Sequence, residues 1–319
     1  MNDMPIPLKA MWGLIKSATQ SWVDDSASSM GAALAYYTLF SLAPLLLIVI
    51  ALAGLGFGPD AARGEILGQL RELMGAESAR AVQAMLEAAN QSGKGAAATV
   101  AGVVFLLIGA TSVFVELQYA LDRIWRAPVR LKSSGLWSLL RSQLLSFGMI
   151  LCLGFLLMVS LVASAALAAM GKWWGPVFAG WELLGNAINV SLDFAMTSTG
   201  FALIYKIMPR VRIRWLDVWI GAAVTALLFT IGKLLIGVFI GKSGVTSVFG
   251  AAASLAVVLI WVYYSAQIFL MGAEFTWVYA HTFGSLKEQP MAPAHSVSSR
   301  AQTAEGAAGS PPHDRPRPT

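Results

Sequence analysis

The chain alternates long apolar runs with short polar, mostly basic stretches. Six runs are long enough, at about 1.5 Å per helical residue, to cross a hydrocarbon core about 30 Å thick. They are Ala32 to Leu55, about Ala96 to Val115, Leu144 to Ala169, about Ile188 to Ile207, Val218 to Ile240, and about Ala251 to Met271. The pattern predicts an all-α, polytopic membrane protein of six transmembrane helices. Pro44 lies in the middle of the first run and predicts a kink there, because proline removes a backbone donor and crowds the preceding turn. The second helix is expected to continue past the membrane through Glu116 to Trp125, with Pro128 ending it. The sixth should continue to about Ala280.

Three segments depart from this pattern. Within residues 1–31, Leu8, Met11, Trp12, Ile15 and Trp22 recur at helical spacing beside Lys9 and Lys16. That stretch is too polar to span and reads as an amphipathic helix along the cytoplasmic interface. Residues 59–95, inside the transmembrane domain of residues 32–283, carry Ile66, Leu70 and Leu73, then Val82, Met85 and Leu86, among Arg and Glu. They predict two short amphipathic helices outside the membrane, on its outer side, with Gly75 as the break. Residues 284–319 turn to Ala, Ser, Pro and Gly and are expected to form a disordered cytoplasmic tail. The first residues lack the apolar core and cleavage site of a signal peptide, so none is expected to be removed.

Composition agrees with the membrane reading. Of 319 residues, 57% are hydrophobic and 12% charged, far more apolar surface than one soluble core requires. The net charge of +5 would otherwise invite nucleic acid, but its distribution points to lipid. In the alternating loops, fifteen Lys and Arg fall on one side, including Arg123, Arg126, Arg130, Lys206, Arg210 and Arg214; six fall on the other, most of them diluted by Asp and Glu. Basic residues are retained in the cytoplasm, so both termini are expected inside. Trp173, Trp174 and Trp181 lie where an outer aromatic belt would sit. The lone cysteine, Cys152, is in an apolar run and excludes an intrachain disulfide.

Ionisable groups within spans are costly, so they are the first candidates for function. Lys233 stands about 10 Å below the outer end of the fifth run, at about 1.5 Å per residue, and Asp193 lies at similar depth in the fourth. Opposite charge at equal depth would suit a pair, and the alternative that Lys233 snorkels outward and Asp193 caps a helix stays equally open. Tyr263, Gln267 and Glu274 fall within about 40° of one another on the sixth helix and form one polar stripe. Glu116 lies at the inner boundary, where an interfacial carboxylate is cheap. Tyr36 and Tyr37 need hydrogen-bond partners if buried and are expected to face the bundle interior near Tyr263 and Tyr264.

Other chemistry is missing from the sequence. The three histidines, His281, His295 and His313, lie at or beyond the end of the last helix, so no metal-ligand cluster is expected in the folded part. No phosphate-binding loop and no Gly-x-Ser-x-Gly elbow occurs. No catalytic residue and no cofactor is expected, and the protein is read as a non-enzyme.

The stretches Gly31-Ala-Ala-Leu-Ala-Tyr-Tyr-Thr-Leu-Phe-Ser-Leu-Ala-Pro-Leu45, Gly232-Lys-Leu-Leu-Ile-Gly237, Val248-Phe-Gly-Ala-Ala-Ala-Ser254, Trp261-Val-Tyr-Tyr-Ser-Ala-Gln267 and Gly272-Ala-Glu-Phe-Thr276 resemble the YihY/BrkB family of bacterial inner-membrane proteins. The resemblance covers roughly residues 10 to 283 and implies a six-helix bundle in the cytoplasmic membrane. Members have carried the label ribonuclease BN, a transfer-RNA-processing name, and a virulence or serum-resistance label. A metal-dependent nuclease needs clustered carboxylates or histidines and a basic groove, and neither is visible here. The expected function is a transporter or lipid flippase for an anionic lipid or small solute; the alternative is a structural scaffold of the envelope. Membrane lipids are the expected partners, with a protein partner or a second copy of the chain also open, and no nucleic acid.

Overall fold

The computed structural model describes residues 8–92, 112–127, 181–211, 213–242 and 253–287, with the single positions 159 and 170. Among them every regular element is helical. We number these α1 (Leu8–Asp24), α2 (Ala27–Phe57), α3 (Pro59–Ser92), α4 (residues 112–124), α5 (Trp181–Ile207), α6 (Trp215–Lys242) and α7 (Ala253–Thr282). The third predicted run, apart from Val159, most of the second, and the tail beyond Lys287 lie outside the described residues.

Among the described residues three helices are long and apolar enough to cross a membrane: Leu184–Ile207, Trp215–Ile240 and Leu255–Thr282. A fourth follows if α2 is one broken span, since Ala27–Leu42 and Leu45–Leu55 meet at 45°. The bend falls across the proline at position 44, where the helix loses a backbone hydrogen bond. Helix α6 shows how such a span divides its surface. Leu227, Leu228, Ile231, Leu234, Leu235, Val238 and Phe239 are exposed at helical spacing, whereas Ala222, Thr225, Ala226, Ile236 and Ile240 are buried. The outward apolar stripe suits lipid contact and the inward one is the bundle seam.

That seam is built by reciprocal close approach. Thr225 Oγ1 donates back to Gly221 O at 2.7 Å on α6, and Thr276 Oγ1 donates to Gly272 O at 2.6 Å on α7. Each threonine fills the space left by the other helix's glycine: a Cβ on Gly221 would overlap Thr276, and one on Gly272 would overlap Thr225. Tyr205 of α5 closes the node, donating to Phe269 O at 2.7 Å with its hydroxyl 3.1 Å from Thr225 Oγ1. Small residues let the helices meet, and side-chain hydroxyls satisfy each other or the backbone.

The other helices pack around α7. Helix α1 buries Leu14 and Ala18 there and leaves Met11, Trp12 and Ile15 exposed, so it has one face for protein and an apolar one for an interface. Residues 59–92, expected as two short helices, form a helical hairpin packed against α2 and α7. Its backbone leaves the helical region at Gly75 (φ 81°, ψ 165°), which favours a residue without a Cβ. Past Thr282, Ser285 donates to Asp217 Oδ2 from its backbone N–H at 3.0 Å and its hydroxyl at 2.5 Å. The fold therefore continues through Lys287, beyond the expected boundary at residue 283.

Candidate functional site

Among the described residues the densest ionisable cluster gathers where α1 turns into α2, where α4 ends, and on α7 one to three turns from its C-terminus. Asp25 extends the last turn of α1 through its N–H to Ser21 O at 2.8 Å, and Ser26 then takes a left-handed conformation (φ 56°) that redirects the chain into α2. Helix α4 closes in a similar way. Arg126 is left-handed (φ 50°), with its N–H donating to Arg123 O and the N–H of Ala127 to Asp122 O, a hydrogen-bonded helix stop of the kind glycine usually makes. Ser26 and Arg126 are the two non-glycine residues with positive φ among the described residues. Both local strains aim a charged side chain at one interior point.

There Arg126 Nη2 donates to Asp25 Oδ2 at 3.4 Å, and Arg123 Nε lies 3.9 Å from Asp25 Oδ1, close enough to share charge but too far to hydrogen-bond. Asp25 is 1% exposed. The Arg126 guanidinium carbon sits 4.2 Å from the centroid of the Trp277 ring, a cation–π contact that strengthens away from water. Glu274, one turn earlier on α7, is 0% exposed and faces the carboxyl of Asp25 and the guanidinium of Arg126. Among the described residues no basic side chain, hydroxyl or amide donates to either of its carboxylate oxygens; its polar neighbour is the carboxyl of Asp25. Two carboxyls and two guanidiniums thus meet in one buried cluster, with the Glu274 carboxyl set against that of Asp25.

A second layer ties α4 to the connection between α5 and α6. Arg210 donates its backbone N–H to Asp122 Oδ1 at 2.9 Å and its guanidinium pairs with Oδ2 at 3.4 Å; Gln118 Nε2 donates to Met208 O at 3.3 Å. Burial pushes the Asp122 carboxyl above its ordinary value, and the hydrogen bond and charge of Arg210 pull it back in part. A raised folded-state value means that this group's stabilisation is present at low pH and declines as pH rises through the shifted pKa. Asp122→Asn should therefore remove a small downward slope in stability across the weakly acidic range, read as detergent-solubilised melting temperature against pH.

The sequence candidates separate into three sets. Lys233 and Asp193 are brought together, Nζ to Oδ2 at 3.3 Å, with the Asp193 side chain 52% exposed between α5 and α6. On α7 the stripe divides by depth. Tyr263 is exposed, Gln267 Nε2 reaches across to Ser28 O of α2 at 3.4 Å and packs against Gly31, and Glu274 enters the buried cluster. Glu116 is half-buried on α4. Tyr36 and Tyr37 do not face the interior: they are 56% and 37% exposed, stacked edge to face at 5.6 Å, with Phe40 continuing the patch. The interior positions near Gln267 are taken by Gly31 and Ser28, so the tyrosines are turned to the outer face of α2. Among the described residues no group of three or more His, Cys, Asp or Glu side chains is placed to hold a metal.

The family described as Virulence factor BrkB matches residues 18–296. The chain belongs to this family. Relatives of this BrkB chain include UPF0761 membrane proteins of Alcanivorax borkumensis, 31% identical over 86% of this chain and 63% of the relative, and of Acinetobacter baylyi, 26% identical over 86% and 64%. A third, from Pseudomonas aeruginosa, is 28% identical over 79% of this chain and 59% of the relative. The BrkB chain thus spans less than two thirds of the length of these relatives. No solved structure matches it.

Asp25, Arg126 and Trp277 were not among the sequence candidates. A signal for part of the cluster existed. Hydrocarbon penalises lone charges at either end of the spans, and the positions of Arg123 and Arg126 just past the second run set them level with Glu274. Nothing local marks Asp25, which reads as the polar end of an amphipathic helix.

Proposed function

We propose that this BrkB-family protein is a six-span protein of the bacterial inner membrane, with both termini cytoplasmic, that transports or flips an anionic lipid or small charged solute. The observation that carries the reading is Glu274, a fully buried carboxyl at the inner end of an apolar bundle that receives no hydrogen bond from a basic side chain and faces a second buried carboxyl, Asp25. An ionisable group in such a place is expensive and is retained by default for ion, proton or substrate handling. Arg126, Arg123 and Asp25 supply a field of both signs around it, and Lys233 with Asp193 supply a second charged position nearer the opposite end of the spans. The excess of basic residues on one side of the chain supports the orientation.

The scaffold reading has its own support in the exposed apolar face of α1, where Trp12 is 70% exposed. Neither of two shallow grooves on the described surface, one along Ala187 to Leu192 and one between α1 and α7, is lined by Lys233 or Glu274. Reconstitution separates the two readings. Purified protein in liposomes should move labelled anionic lipid or solute, and Lys233→Ala and Glu274→Ala should each abolish that flux. Undiminished flux in both variants would remove the pathway, and no flux from the parent with any probe would leave the scaffold. The same preparations incubated with a transfer-RNA precursor should leave it intact; cleavage lost on Glu274→Ala would restore the nuclease reading.

A further inference from the structure

We infer that α3 is a re-entrant hairpin whose polar face lines a water-filled vestibule opening on the side of the membrane where α2 ends. The inference rests on the reading of α2 as a span. The chain reverses at once after α2: Gly58 has φ 86°, and Pro59 Cα lies 3.2 Å from where a Cβ on Gly54 would stand. Two helical arms follow, broken at Gly75. Arg63 and Glu87, equidistant from that break, pair across them at 3.5 Å, so the arms run antiparallel with Gly75 at the tip.

The apolar sides of the arms share one buried cluster with the body of α2 and with α7. Met74, Val82 and Leu86 belong to it with Leu42, Leu46 and Val258. Whatever depth α2 has, the hairpin therefore shares. An arm of about sixteen residues reaches about 24 Å at 1.5 Å per residue, which takes the tip well past the middle of a hydrocarbon core about 30 Å thick.

That depth is at odds with what the tip carries. Arg71 is exposed beside Gly75, and the Glu77–Arg80 pair, 2.7 Å apart, has side chains 42% and 64% exposed. Ser78 is buried with its hydroxyl unpartnered. Charges and non-helical backbone are tolerated at membrane depth where they border water or protein, not lipid. An aqueous vestibule along the polar face of the hairpin meets both requirements. It would admit hydrated, charged solutes or headgroups from that side toward the bundle.

The single native cysteine makes a direct test available. In a Cys152→Ser background, a fluorophore is attached at Ala76→Cys on the tip and, separately, at the exposed Phe40→Cys of α2 as a span control. Full-length protein is reconstituted with nitroxide lipids labelled either at the headgroup or at the chain centre, and unlabelled Ala76→Cys is also treated with a membrane-impermeant charged maleimide. Expected are stronger quenching of both fluorophores by the chain-centre nitroxide, and modification of Ala76→Cys from one side of the bilayer. A tip quenched mainly from the headgroup, with Phe40→Cys still deep, overturns the hairpin insertion alone. A deep tip that the maleimide cannot reach overturns the vestibule. If Phe40→Cys is also shallow, the span reading itself has failed.

Discussion

Arg126→Ala should lower the stability of the solubilised protein by about 3 to 5 kcal/mol, the usual cost of removing one partner from a buried ion pair. The residue holds Asp25, which is almost wholly buried, faces Glu274, which is entirely so, and covers the Trp277 ring. Its loss leaves two buried carboxyls facing each other with only Arg123 at 3.9 Å to offset them. Arg126→Ala with Glu274→Gln should recover part of the loss, because a glutamine amide can donate to Asp25 where a second carboxyl does so only while protonated, whereas independent sites would add. Arg126→Lys should recover little, since a point ammonium replaces neither the planar stacking nor the fork geometry. Thermal unfolding followed by tryptophan fluorescence in detergent reads all three, and a double variant no better than Arg126→Ala would show that the cluster is not electrostatically coupled.

Gly272→Ala is expected to cost about 2 to 4 kcal/mol, from overpacking and the hydrogen bonds disturbed with it. Its Cβ would overlap Thr225 Oγ1 and stand 2.7 Å from the Tyr205 hydroxyl, so α6 would have to move and the Tyr205 to Phe269 hydrogen bond with it. Thr225→Ala in the same chain should return part of the stability by vacating the space. Gly237→Ala is the contrasting control: nothing lies within 4 Å of the added atom, and glycine is the poorer helix former. Equal losses at Gly237 and Gly272 would mean that the seam between α6 and α7 is not packed as described.

These two results probe opposite kinds of information. The seam was half legible. Long apolar runs announced α6 and α7, and glycines in spanning helices are a general sign of close packing, but nothing along either run marks which of its glycines meets a neighbour. Gly237 faces open space, while Gly221 and Gly272 carry the contact. Spacing along one helix says which residues share a face; it does not say which face meets a neighbour. The charged cluster was less legible still. Asp25 and Arg126 are far apart in sequence, and their meeting depends on two left-handed residues, Ser26 and Arg126, that carry no glycine to mark them.

Lys233 and Asp193 show what a sequence can do when one physical constraint dominates. Hydrocarbon penalises a lone charge, so equal depth and opposite sign marked the two as candidates for a pair, with snorkelling equally open, and the 3.3 Å contact decides for the pair. Tyr36 and Tyr37 show the reverse. An aromatic hydroxyl is amphipathic and is stable at an outward face as well as an inward one, so residue type alone left their direction open, and the interior choice was wrong.

By itself, then, the sequence determined that this chain is helical, that its apolar runs are of membrane length, and that it carries the stretches of its family. Those properties follow from transfer free energy and helix rise, which act residue by residue. Tertiary structure decided which charges are buried together at Asp25, Arg126 and Glu274, which glycines admit a neighbouring helix, and that residues 59–92 fold back along α2. Those depend on the mutual orientation of helices distant in sequence, which is set by how side chains interlock across the bundle.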